Sequence, residues 1–324
     1  MPKAIRFYKN GGPEVLQWEE VTMNDPGPGE ARVLHKACGL NMVDVYQRTG
    51  LYKTPLPSGA GSEGAGVVEA VGPGVTHVKP GDRVAYAGGL LGAYSEARTM
   101  PADRLCLLPE GLSFEQGAAM MLKGLTAQYL LRRTYTVQPG DTVLFHAAAG
   151  GVGLIACQWL KALGATVIGT AGSDEKCEQA KQHGADYCIN YRKHKFVERV
   201  KEITNNAGLP VVYDSVGKDT FHDSLDCLRP RGLMVSFGNS SGPVAPFDPA
   251  LLSQKGSLYL TRPTLMTYAA KRTDLDAMSK ELFDIVLSGK VKIDINQRYA
   301  LKDAAQAHRD LETRKTTGSS ILIP

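Results

Sequence analysis

The stretch "FHAAAGGVGLIACQW", residues 145–159, sets a run of small residues between two apolar runs. Only a backbone without side chains in the way can come close to a pyrophosphate and offer it the amides that open a helix. Gly150 is placed for that approach and Gly153 for close packing of the helix on the preceding strand. Ala148 stands where the usual fingerprint has its first glycine, and it can serve the turn if its φ is negative. An ordinary strand-to-helix turn carries similar residues. The context favours dinucleotide binding, because "TVLFH" reads as a strand and "LIACQWLKALG" as a helix with an apolar stripe of Ile155, Trp159, Ala162 and Leu163. Ala149, Gly150, Gly151 and Val152 are the expected contacts.

Which dinucleotide depends on the end of the next strand, where an NAD site carries a carboxylate for the ribose 2′-hydroxyl. In "IGTAGSDEK" that place holds Ala171. Gly172 and Ser173 open the space and Lys176 follows one helical turn later, a combination that accepts a 2′-phosphate through a hydroxyl and a cation. NADPH is therefore the expected cofactor. The alternative for Lys176 is a solvated helix face, and Asp174, turned inward, would repel the phosphate. Tyr191 and Arg192, after the following strand, are further candidates on the adenosine side.

A loop of this kind needs a parallel sheet behind it, and the chain supplies one. Strand candidates at 142–146, 166–170, 187–190, 211–215 and 233–237 alternate with helix-length segments. Before residue 112 the texture differs: short β-rich runs punctuated by glycine and proline read as an irregular, mostly β domain. Between the two lies "SFEQGAAMMLKGLTAQYLLRRTY", a long helical stretch with Ser113 as its N-cap. From about Arg262 the chain has one amphipathic helix, "LDAMSKELFDIVLSG", and short strands ("RYAL", "SILIP") expected to return to the first domain. With 324 residues, two domains are expected. The net charge of +4, spread among nearly balanced acids and bases, suits an anionic cofactor better than a nucleic-acid patch. Six cysteines without a C-x-x-C pair, and no long apolar run, point to a reducing cytoplasm and away from a membrane.

"GAGSEGAGVVEAVGPGVTHVKPGDRV" together with "AAAGGVG" resembles the medium-chain dehydrogenase/reductase superfamily, and "NYR", "VYDSVG", "RGLMVSFGNSSG", "QKGSLYLTRP" and "GSSILIP" extend the likeness to its zinc-independent, zeta-crystallin-like NADPH:quinone oxidoreductases from end to end. The resemblance implies an α/β protein with a GroES-like, mostly β catalytic domain (residues 1–124 and 263–324). A Rossmann domain with a doubly wound parallel sheet (residues 125–262) is inserted in it, with a cleft between them and a homodimer paired through cofactor-sheet edges. Relatives that bind catalytic zinc carry Cys and His where this chain has Asn41 and Ser62, and Glu63 and Asp44 alone cannot build a tetrahedral N/S site. The four-cysteine lobe for structural zinc is missing too, so no metal is expected.

Without a Lewis acid to acidify an alcohol, the feasible acceptor is one already electron-poor, a quinone, reduced by hydride or by single electrons. By resemblance, Asn41, Tyr46 and Tyr52 lie at the nicotinamide and substrate: the amide of Asn41 can donate to an acceptor oxygen, and the tyrosines can stack or donate. Tyr46 and Tyr52 read equally as helix packing and a loop anchor. Thr126 is carried over as a nicotinamide contact or a buried helix threonine. Ser215, Phe237, Gly238 and Ser240 end the fourth and fifth strands, and Arg262 and Ser319 lie where the chain crosses between domains. The histidines suggest no triad. Two other readings stay open: reduction of an activated C=C bond in an enone or alkenal, and an NADPH- or RNA-binding crystallin-like protein, against which the lack of an aromatic-interleaved basic patch speaks.

Overall fold

The structure, a computed structural model, describes residues 1–89 and 91–324. The chain divides into two compact units. One comprises residues 1–125, 268–287 and 293–324, and the other residues 126–267 and 288–292. The return to the first unit thus falls after Thr267 rather than after Arg262.

The first unit starts with β1 (Lys3–Phe7), β2 (Gln17–Glu20) and the long β3 (Glu30–Leu40), then helix α1 (Met42–Thr49). β4 (Ser58–Gly59), β5 (Glu63–Val71), β6 (Arg83–Ala87), β7 (Ala97–Pro101) and β8 (Cys106–Leu107) follow, and α2 (Phe114–Tyr129) leads into the second unit. β3 is the spine: it pairs antiparallel with β5 and β7. Gly50, left-handed at φ 84°, ends α1. Ser113 caps α2 as expected, its Oγ accepting from the Gln116 amide at 3.1 Å while Gln116 Oε1 accepts from the Ser113 amide at 2.9 Å. The helical stretch does not run on uniformly to Tyr135, because residues 130–134 widen into a π turn.

The second unit holds β9 (Thr142–Phe145), α3 (Gly151–Ala162), β10 (Thr166–Ala171), α4 (Asp174–Gln182), β11 (Tyr187–Asn190), α5 (Phe196–Ile203), β12 (Leu209–Asp214), α6 (Phe221–Leu225), β13 (Leu228–Ser236), α7 (Ala250–Gln254) and β14 (Tyr259–Thr261). The sheet order is β11-β10-β9-β12-β13-β14 and every pairing is parallel. Consecutive strands step outward from β9 and then outward again from β12, which places the topological switch point between those two. The core on one side of this sheet joins Leu144, Ile168, Val212 and Met234 to Phe196, Val200 and Phe221 from the helices. α3 is buried almost all round, with Leu154, Ile155, Ala156, Cys157, Trp159 and Leu160 inside, so its apolar face is wider than a stripe. Ala162, expected in that stripe, is exposed at the helix end.

The chain then passes α8 (Leu265–Tyr268) and α9 (Arg272–Leu287) and ends in β15 (Ile295–Ala300), α10 (Ala304–Glu312) and β16 (Ser319–Ile323). β16 pairs antiparallel with β3 and parallel with β15, completing the larger sheet of the first unit. The core there brings Leu301, Ala304, Ala307 and Leu322 against Ile5, Phe7, Leu40 and Tyr94.

Candidate active site

In the second unit the expected cofactor contacts gather along one edge of the sheet, because all six strands run the same way and end there. The turn after β9 runs over residues 146–149 and is closed by the Gly150 amide on Ala147 O at 2.9 Å; Ala147 takes the left-handed conformation, φ 53°, while the fully buried Ala148 serves the turn without a positive φ. Gly150 is the N-cap of α3, followed by Gly151 and Val152 in its first turn. A Cβ at Gly153 would sit 2.4 Å from Ala147 O and 2.6 Å from Ala148 O, so only glycine lets α3 approach this closely. The same economy of volume continues in β10, where a Cβ at Gly169 would lie 2.7 Å from the Ala148 methyl.

At the end of β10, Ala171 is buried and Gly172 lies under the Tyr191 phenol, whose oxygen would be 2.6 Å from an added Cβ. Ser173 caps α4 by accepting from the Lys176 amide. Asp174 does not turn toward this corner: Asn190 Nδ2 donates to its Oδ1 at 2.7 Å and Lys193 pairs with Oδ2, and both partners hold its carboxyl below the usual range. The corner therefore presents the Ser173 hydroxyl, which also bonds the exposed Glu175 carboxylate, the half-buried Lys176, and the exposed Tyr191 and Arg192, with Asp174 already paired.

The loops after β12 and β13 are braced from below by Asp214, which is fully buried. Its carboxylate accepts from the Val216 and Gly217 amides at 2.8 and 3.0 Å and from the Thr220 and Ser224 hydroxyls at 2.7 and 2.9 Å. Ser224, donating to Asp214, accepts from His146 Nε2 at 3.0 Å, and His146 Nδ1 then accepts from Thr170 Oγ1 at 2.9 Å. Burial lowers the pKa of that imidazole, so it stays a neutral bridge between β9, β10 and α6. Gly238 allows the second loop to touch the first, since a Cβ there would be 2.4 Å from Ser215 O, and the Ser240 amide donates to that same oxygen. The Phe237 ring leans on Phe145, with centroids 5.7 Å apart. Arg262 follows β14 and donates through Nη1 to Ser236 O at 3.0 Å. Thr126, in α2, is half-buried.

In the first unit, Asn41 is the N-cap of α1 and is nearly buried, and Tyr46 and Tyr52 meet edge to face with centroids 5.2 Å apart. Asn41 opens α1, and the tyrosine pair stands on and just beyond that helix. Behind Asn41 lies a polar cluster that residue types alone did not reveal. Asp44 takes the Asn41 amide at 2.9 Å and the Tyr94 hydroxyl at 2.8 Å on Oδ2, and the Ser62 hydroxyl at 2.8 Å on Oδ1. Burial pushes its carboxyl up to about 6 against the pull of those donors. His308 stands 3.4 Å from the Tyr94 hydroxyl and is held neutral, its pKa lowered to about 3 by burial and by nearby Arg48. Glu63, wholly buried, accepts from Asn41 Nδ2 at 2.7 Å and from the Leu122 amide at 2.7 Å, and Lys123 Nζ lies 3.5 Å away. The one advance signal of this pair was a lysine inside the apolar run "AAMMLKGL". Ser319 is spent differently: its hydroxyl donates to Ala119 O at 3.1 Å.

The residues at the two zinc-ligand positions are thus an amide and a hydroxyl, each donating to a carboxylate. Asn and Ser are poor ligands for a borderline-soft cation. Among the described residues no group of three or more His, Cys, Asp or Glu could hold a metal ion.

Residues 27–110 match the alcohol dehydrogenase GroES-like domain family and residues 151–282 the zinc-binding dehydrogenase family. This domain pair, with the glycine-lined turn at the sheet's switch point, defines a medium-chain dehydrogenase/reductase. The chain is 58% identical over 325 residues to the quinone oxidoreductase of Pseudomonas aeruginosa, covering 100% of both. It superposes on the crystal structure of Escherichia coli quinone oxidoreductase complexed with NADPH with a TM-score of 0.98 at 56% identity, over 99% of this chain and 100% of that one. It is also 46% identical to a 2-haloacrylate reductase of a Burkholderia species, over 100% of this chain and 99% of that one. Within its superfamily the chain belongs to the quinone oxidoreductase family.

Proposed function

We propose that this chain reduces quinones with NADPH and without metal. The observation that carries the reading is the corner after β10: Ala171 leaves out the carboxylate that would bind a ribose 2′-hydroxyl, Gly172 lets the Tyr191 phenol close over the backbone, and Asp174 is tied to Asn190 and Lys193. The cradle fits the group, since Gly150 opens α3 with no side chain over its first amides and Gly153, where a Cβ would lie 2.4 Å from Ala147 O, keeps that helix close to β9. Ala149 to Val152 would hold the pyrophosphate. Gly172, Ser173, Lys176 and Tyr191 would hold the 2′-phosphate side. Ser215, Phe237, Gly238, Ser240, Arg262 and Thr126 would keep the nicotinamide end. The bound cofactor supplies the hydride.

The protein's own part is positional. Asn41 offers a hydrogen bond to the acceptor oxygen, and Tyr46 and Tyr52 hold a planar ring. A quinone needs no stronger acid, because its carbonyls are already electron-poor. The likeness to a 2-haloacrylate reductase supports a second reading, reduction of an activated C=C bond, which uses the same hydride and as little acid catalysis. NADPH oxidation followed against a panel of quinones, enones and alcohols separates the two: quinones should turn over fastest and alcohols not at all in the reverse direction. Fastest turnover of enones would replace the first reading with the second.

The working form is a homodimer in the cytoplasm. The short outer strand β14 supports this, with Tyr259 62% and Leu260 36% exposed on an unpaired sheet edge, and so do six free cysteines.

A further inference from the structure

The fully buried Glu63 sits among three elements: it opens β5, faces α2 through Leu122 and Lys123, and reaches Asn41 ahead of α1. Lys123 completes the clamp by donating to Leu40 O at 3.3 Å, the carbonyl just before Asn41. The fit is tight from the β3 side as well. A Cβ at Gly39 would lie 2.0 Å from Glu63 Oε2 and 2.3 Å from Ala118 O, so glycine at 39 makes room for this carboxylate against the helix.

A carboxylate only accepts hydrogen bonds, whereas a carboxamide has a donor end and an acceptor end of nearly the same shape. Facing Glu63, Asn41 must turn Nδ2 inward and keep Oδ1 on the other side. An amide free to flip would present an acceptor oxygen half of the time where a donor is wanted. Burial pushes the Glu63 carboxyl up and leaves it raised, while Lys123 Nζ at 3.5 Å is the strongest pull toward the ionised form, which only accepts.

We propose that Glu63, paired with Lys123, is a positioning residue that locks the orientation of the Asn41 carboxamide for the acceptor. This rests on the reading of Asn41 as an acceptor contact. It also narrows that reading, because one Nδ2 hydrogen is already committed to Glu63 and only the second is left for the acceptor oxygen.

Glu63→Gln tests it, since glutamine keeps the shape but can satisfy either orientation of Asn41. Quinone kcat should fall about tenfold or more, while the NADPH Kd from fluorescence titration stays within about twofold of the parent's. Parent-like kcat in Glu63→Gln, beside an impaired Asn41→Ala, overturns the inference and leaves the reading of Asn41 intact. Parent-like kcat in Asn41→Ala removes both. If Glu63→Gln does not fold, Lys123→Met serves, because it keeps the carboxylate and its bonds. The charged groups around Glu63 are Lys123 on α2 and Asp44 on α1, with the titratable Cys38 on β3, Tyr86 on β6 and Tyr94, all pushed up by burial, also facing it, and the variant loses only Lys123. Its kcat relative to the parent's should be lowest at acidic pH, where the carboxyl is protonated, and recover as the pH rises. A ratio that does not change with pH overturns the inference.

Discussion

At the scale of single residues, cofactor choice turns on one methyl group. A 2′-phosphate brings up to two negative charges to the corner after β10, and a carboxylate at 171 would meet them at short range. The parent should prefer NADPH over NADH by about tenfold or more, taking ~1.4 kcal/mol per decade. Ala171→Asp should invert that preference, and Lys176→Ala should weaken NADPH while sparing NADH. Titration at fixed ionic strength checks both, and equal binding of the two cofactors by the parent would remove the phosphate site. Ala171 and Lys176 could be proposed from the sequence because the argument for each rests on residue type alone. The orientation of Asp174 was not, since it depends on Asn190 and Lys193 at the end of the neighbouring strand. Asp44 gives a pH test. Its carboxyl has a higher pKa folded, about 6, than unfolded, so its stabilising contribution is fully present below the unfolded value, near 3.8, and is lost as the pH rises through 6. In urea titrations the stability advantage of the parent over Asp44→Asn should therefore shrink between about pH 4 and pH 7, on the order of 1–3 kcal/mol. An advantage that widens over that range would show that the carboxylate is not penalised by burial.

Elements were easier to read than contacts, because periodicity is local and pairing is not. The five strands at the centre of the second unit lie within a few residues of the apolar runs that announced them. β14 was missed: three residues, two of them exposed, carry no periodic signal. The turn before α3 shows the same limit, since the fingerprint foretold a tight turn that Ala148 could serve without a positive φ, but not that Ala147 would take the left-handed conformation beside it. The closeness of α3 to β9 has a direct test. The atoms that a Cβ at 153 would strike belong to the backbone of 147 and 148 and cannot swing aside. Gly153→Ala should cost about 1–3 kcal/mol of stability by overpacking and should weaken NADPH as the helix N-terminus is pushed away. Denaturant midpoints and cofactor titration read the two effects separately, and an unchanged NADPH affinity would disconnect the helix from the cofactor.

For the molecule as a whole, the loss of zinc ligands predicts that turnover survives exhaustive chelation and that elemental analysis finds no stoichiometric zinc. One tightly bound zinc per chain would contradict it. The outer strand predicts assembly through that edge: Tyr259→Lys should shift the protein toward monomer in sedimentation at micromolar concentration, where the parent remains dimeric. The arrangement of the sheets also dictates an order of events during synthesis. The second unit is almost continuous in the chain and has its six strands once residue 261 has been made. The first cannot close, because β3 waits for β16 to emerge nearly three hundred residues later. Until then the end of β3, Cys38 to Leu40, keeps its edge open beside the ribosome, while the inserted unit can already have folded. On this timetable NADPH could dock before the acceptor's unit is finished, and a nascent chain stalled short of residue 319 would hold cofactor but lack quinone turnover.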